Sequence, residues 1–162
     1  MLRSIARNFF RVAALALALL LVAGCATTPE LISAKEATTK YQDLVNALSS
    51  KLSQQYATRP WQSVDGEKTA LTRGDDGHCR LNIGKLRTQD SLPSLAGGWK
   101  AAMEAINPLL KEHGFAEISS EDSIKGGWTG VSSSDQHGGK LRIVAKGYTE
   151  LSLASPVSDD SC

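Results

Sequence analysis

The first 25 residues constrain this chain more than any other stretch. Arg3, Arg7 and Arg11 stand in a leader with no acidic residue before Glu30, and Val12 to Ala23 then runs as twelve consecutive apolar residues. A helix needs about 20 apolar residues to cross a bilayer, so a basic flank followed by so short a run reads as an export signal and not as a membrane span. The fold has to be built from the residues after Gly24.

The residues that close the run, Leu21-Val22-Ala23-Gly24-Cys25, put a cysteine directly after two small residues. This pattern resembles the bacterial lipobox. The resemblance implies cleavage between Gly24 and Cys25, a diacylglyceryl thioether on the Cys25 sulfur, and acylation of the new amino terminus. A thiol is the soft nucleophile such a transfer needs. Each buried methylene contributes about 0.8 kcal/mol, and two or more chains anchor a protein where one does not. The expected organisation is a signal peptide at 1–24, a lipidated cysteine and short tether at 25–30, and one globular domain at 31–162. That domain would sit on the extracytoplasmic face of the cell membrane, close to it, because the tether spans at most about 3.6 Å per residue.

Removing 24 of the 162 residues leaves 138, enough for one domain with its own core. The three leader arginines leave too, so 18 Lys plus Arg become 15 against 17 Asp plus Glu, a net charge of −2. No clustered basic stretch is visible, which argues against nucleic acid as a partner. With Cys25 committed to lipid, Cys79 and Cys162 remain in an oxidising compartment, and a disulfide between them is expected.

Along the domain, Tyr41, Leu44, Val45, Leu48, Leu52 and Tyr56 recur at helical spacing within Leu31 to Tyr56, which Pro60 ends. Lys68 to Thr72 and His78 to Ile83 flank Gly74-Asp75-Asp76-Gly77 and read as a hairpin with Cys79 on its inward face. Gly84 to Gly97 reads as a polar loop. A second helix is predicted from Gly98 to His113, with Trp99, Ala102, Met103, Ile106, Leu110 and His113 on one stripe and a bend or new first turn at Pro108. Gly114 is placed as its left-handed terminator, with Phe115 folding back toward Leu110. The period then changes to two: Phe115 to Ser119, Trp128 to Ser132, Lys140 to Ala145 and Tyr148 to Ala154 read as four strands. Helix, hairpin, helix and meander make an α+β two-layer sandwich, with both amphipathic helices on one face of an antiparallel sheet.

Candidate chemistry is sparse. Arg73-Gly74-Asp75 is a tripeptide that integrins read, but a Gly/Asp-rich turn produces it cheaply. His78, His113 and His137 match no zinc-ligand spacing, so no metal is expected. Ser132 to Ser134, Asp135 and His137 hold the ingredients of a hydrolase triad without the strand-turn-helix context, and lie too close in sequence to converge. No catalytic residue or cofactor is therefore expected, and the chain reads as a non-enzyme. Trp61, after Pro60, and Trp99 are kept as a candidate binding surface, able to line a cleft between helices and sheet.

Taken together, the lipobox, the mid-chain Cys79 with a tryptophan upstream, the helix carrying Trp99 into His113-Gly114-Phe115, and the terminal Cys162 resemble the small actinobacterial envelope lipoproteins of the LppA type. The resemblance implies an exported, lipid-anchored domain with no catalytic residues to carry over. The expected role is a non-enzymatic binding domain at the cell surface whose partner is an envelope protein. The alternative is a carrier or sensor of apolar ligands, and a packed interior would favour the first of these.

Overall fold

The computed structural model describes residues 29–162; the leader and Cys25 lie outside them. The first helix, α1, spans Ala34–Tyr56 and begins where Ser33, in extended conformation, accepts the Glu36 amide on its Oγ at 3.3 Å. Such a cap satisfies one of the four amides a helix start leaves unpaired. Leu31 and Ile32 thus precede the helix that the apolar spacing had placed them in. Ala37, Tyr41, Leu44, Val45, Leu48 and Leu52 form its buried stripe, and Ala57 ends it in left-handed conformation at φ 49°.

Seven strands follow: β1 Gln62–Ser63, β2 Thr69–Arg73, β3 Cys79–Thr88, β4 Asp122–Ile124, β5 Trp128–Ser134, β6 Lys140–Ala145 and β7 Thr149–Pro156. A second helix, α2, spans Gly98–Glu112, after a 3-10 turn at Leu92–Ser94. All strand pairs are antiparallel, in the order β1-β3-β7-β6-β5-β4, with β2 also pairing β3. Both helices pack on one face, giving the expected α+β two-layer sandwich. Inward residues alternate strictly along β6 and β7: Leu141, Ile143 and Ala145, then Leu151 and Leu153, all between 0% and 2% exposed. They meet Leu44, Leu48, Leu52, Ile106 and Leu110 of the helices, which are fully buried. Filling this layer contributes about 1.5–3 kcal/mol per large side chain, the main favourable term of the fold.

Two stretches depart from the sequence reading. The polar loop expected from Gly84 is the second half of β3, which continues to Thr88. Gly84 has φ 74° and sits at a register shift between Asn82 and Lys85, so one extra residue inverts the alternation. Leu81 and Ile83 face inward before it; Leu86 and Thr88 do so after it, and a strict period-2 reading stops at the break. The strand expected at Phe115 to Ser119 is a single bridge, Phe115 to Asp135, and the ladder next to β5 is made later by β4. The reason is an amide side chain. Asn107 of α2 gives its Nδ2 to the Ile118 carbonyl at 3.0 Å and takes the Ile118 amide at 2.9 Å, holding that segment to a helix instead of a strand.

α2 runs through Pro108 as one continuous helix. Its end follows the expected motif: Gly114 at φ 79°, the Phe115 amide to the Leu110 carbonyl at 2.8 Å, and the Gly114 amide to the Lys111 carbonyl at 3.1 Å. Cys79 and Cys162 are joined, with their Cα atoms 5.9 Å apart. The bridge ties the last residue to the start of β3.

Candidate functional site

Because strands alternate and the helices cover only one face, the other face of the sheet is left to solvent, and its side chains are read from the register. The central row runs Ser132, Arg142, Ser152, Lys85 across β5, β6, β7 and β3. On one side of it lie Ser134, Lys140, Ala154 and Asn82; on the other, Gly130, Val144, Glu150 and Arg87. Along its middle, β7 presents the small Ser152 and Ala154 between long cationic neighbours, with Glu150 beyond them. Two grooves result, of about 370 and 320 Å³, and both are lined by Lys140 and Arg142. A third, of about 240 Å³, has Ile124, Trp128 and Val144 in its wall.

The two ends of this face differ in chemistry. At the end nearer the β6–β7 turn, Trp128 meets Tyr148 edge to face at 5.2 Å, and the Arg87 guanidinium lies 4.4 Å from the Tyr148 ring centre. Arg87 also pairs with Glu150, and that hydrogen bond pushes its pKa above the usual arginine range. At the other end the cations are less engaged. Lys85 pairs with Glu67 at 3.4 Å and Glu150 at 3.8 Å, and Arg80 with Asp76 at 3.5 Å. Among the described residues, neither Lys140 nor Arg142 lies within ion-pair distance of a carboxylate.

Of the residues singled out from sequence, Ser132 and Ser134 stand on this face, and the others are placed elsewhere. Trp99 is 4% exposed and donates its Nε1 to Thr129 Oγ1 at 2.8 Å, so it lies within the core. Trp61 packs half-buried against that core, with its Nε1 buried and without a partner among the described residues. The space between helices and sheet is occupied by the side chains named above. Arg73 of the Arg-Gly-Asp tripeptide is spent within the fold, giving hydrogen bonds to the Gly77 and Asp160 carbonyls. His113 faces the Leu109 carbonyl and His137 the Glu30 carbonyl. Among the described residues no three His, Cys, Asp or Glu side chains gather at one point.

Asp135 is a structural hub. Its Oδ2 takes Lys40 Nζ at 2.9 Å and the Tyr41 hydroxyl at 3.0 Å, and its Oδ1 takes the amides of His137 and Gly139. Lys140 and Arg142 carried no more in the sequence than an alternating wet face. The small residues opposite them become visible only with the register, which no local pattern supplies.

The fold and this face define a class of protein: an α+β two-layer domain whose antiparallel sheet is closed by helices on one side and open on the other. No protein-family model matches the chain, and no curated protein does. Among solved structures, a DUF4853 family protein from Actinomyces odontolyticus has a TM-score of 0.51, 13% identity, and a match covering 82% of this chain and 73% of that one. LppA from Mycobacterium tuberculosis has a TM-score of 0.48 and 10% identity, covering 75% of this chain and 73% of that one. The likeness to the first is one of fold.

Proposed function

We propose that this protein is a lipid-tethered, non-enzymatic binding domain of the bacterial envelope that meets its ligand or partner on the helix-free face of the sheet. The anchor is Cys25, acylated at its sulfur. The observation that carries the reading is the division of the two faces: the helix-covered one is filled by side chains, whereas the open one carries three grooves that meet around Arg142. A filled interior supports a surface-binding module over a carrier of apolar ligands.

The tether agrees with this arrangement. The Glu30 carbonyl meets His137 Nδ1 at 2.8 Å, and the Ile32 carbonyl takes the Ser158 amide at 3.0 Å, so the chain is held to the fold from residue 30. Five residues lead from Cys25 to Glu30, about 18 Å when fully extended. The β5–β6 turn would face the membrane, and the open face would stand beside it.

Two measurements test this. The intact mass of protein extracted from membranes should correspond to a chain starting at Cys25 plus diacylglyceryl, and Cys25→Ala should move it to the soluble fraction. A photo-crosslinker at exposed Ser132 should yield an adduct in intact cells, and one at exposed Gln55 on α1 should not. An unlipidated chain beginning at Met1, or adducts from Gln55 alone, would overturn the reading.

A further inference from the structure

On the open face, Lys140 and Arg142 project from β6 as outward neighbours, about 7 Å apart along the strand. Arg80 and Lys85 project from β3. Both strands flank β7, so the two cationic rows face each other across about 10 Å, with Ser152 and Ala154 as the floor between them. This is the groove of about 320 Å³. Its nearest carboxylates are already engaged: Glu150 by Arg87 and Lys85, Glu67 by Lys85, and Asp76 by Arg80. Asp122 lies on the far side of β6, in the larger groove, and accepts from Ser132 Oγ at 3.4 Å. An anion is therefore favoured over β7.

We propose, resting on the reading of this face as the binding surface, that the trough over β7 takes the phosphoryl group of a small soluble phosphomonoester. Three features carry this. A phosphomonoester holds a charge of about −1.5 to −2 at neutral pH, which two unengaged cations match and a single carboxylate does not. The Arg142 guanidinium offers a planar fork suited to two phosphate oxygens, with Lys140 as a point charge beside it. Ser152 adds a hydroxyl donor from the floor, and Asn82 an amide steadied by its bond to Thr72 Oγ1 at 3.2 Å. The volume exceeds that of the phosphoryl group, leaving room for a sugar-sized body, and lies at the lower end of the usual ligand range of about 300–1,000 Å³.

The test is calorimetric titration of the mature chain in detergent with glucose 6-phosphate, with glucose as control and inorganic phosphate as competitor. One saturable site is expected for glucose 6-phosphate, displaced by phosphate, weakened by salt and absent for glucose. Arg142→Gln and Lys140→Gln should each weaken it about tenfold, as loss of a charge-assisted hydrogen bond does. Both side chains are exposed, so an unchanged melting temperature certifies the fold. Arg142→Lys should lie between wild type and Arg142→Gln. Equal heats for glucose and glucose 6-phosphate, or undiminished binding by the Lys140→Gln/Arg142→Gln double variant, would overturn the inference. A Ser132 adduct obtained in cells together with such a result would leave the binding face standing and remove the phosphate alone.

Discussion

The Tyr41 hydroxyl donates to Asp135 Oδ2 at 3.0 Å, joining the buried stripe of the first helix to the turn between the fifth and sixth strands. The carboxylate is fully buried yet has four donors around it, two of them backbone amides of its own turn. A buried charge is tolerated when it is paired and fully hydrogen-bonded in this way. The contact joins the two layers of the sandwich at the end where Glu30 meets His137 of the same turn.

Asp135→Ala strands a hydroxyl and two amides at once, and should lower stability by about 3 kcal/mol in urea unfolding. Tyr41→Phe removes one neutral donor and should cost about 1 kcal/mol. The order of the two, more than either value, tests whether the carboxylate is the hub.

Burial, aided by the Asp135 charge, pushes the Tyr41 pKa well above the ordinary tyrosine range, against an opposing bond with Ser155. A raised pKa means the folded state favours the protonated hydroxyl, so this stabilisation is complete below the unfolded tyrosine value of about 10 and is lost as pH climbs past it. Alkaline unfolding should set in later for Tyr41→Phe than for the parent, relative to each protein's stability at pH 8. Tyrosinate absorbance at 295 nm should rise in step with loss of the fold.

The opposite sign holds at Asp90, where the Arg59 backbone amide, then its side chain, hold the carboxyl below the usual carboxylate range. Stability from this pair is present above the unfolded value of about 4 and is lost as pH falls further, through the lowered folded value. Asp90→Asn should therefore destabilise the protein at pH 7 and flatten the acid limb of its stability profile. An unchanged slope between pH 4 and pH 2 would refute this.

Gly84→Ala adds a methyl group 2.7 Å from the Glu67 carbonyl at a backbone φ of 74°, and the clash is with main chain that cannot rotate away. A cost of about 2 kcal/mol or more is expected, read as a fall in melting temperature. Since Gly84 sets which of the later β3 residues face outward, the same change should also disturb Lys85 in the trough.

Opening the Cys79–Cys162 bridge, which spans 83 positions, removes a constraint on the unfolded chain worth about 4–5 kcal/mol at most in the chain-entropy account. The Cys79→Ser/Cys162→Ser double variant should unfold at lower urea, by about 2–4 kcal/mol. Its C-terminal amides from Ser158 onward should lose hydrogen-exchange protection first.

The legibility of the fold tracks the range of the forces involved. The stripes of α1 and α2, the Gly114 terminator and the alternation of β6 and β7 are local patterns, and each stands where periodicity placed it. Gly84 and Asn107 show why the rest was not legible. A bulge inverts the phase of a strand at one residue, and an amide side chain 11 positions away replaces a ladder with two hydrogen bonds. The open face was hidden for a related reason: Arg142 and Ser152 become neighbours only through the β6–β7 register. Trp61 and Trp99 drew notice by residue type, yet the indole of Trp99 is used to pack and to hold Thr129.

The first amide of α1, at Ala34, is received by the carboxylate of Asp159, 125 residues later. Polypeptides are made from the amino end, so the cap on this helix start forms only once Asp159, 125 residues further on, has been added. A nascent domain emerging from a pore would lack this one cap, worth about 1 kcal/mol, until the segment around Asp159 arrives. Stalling just short of Asp159 should leave it open to proteases that ignore the finished protein.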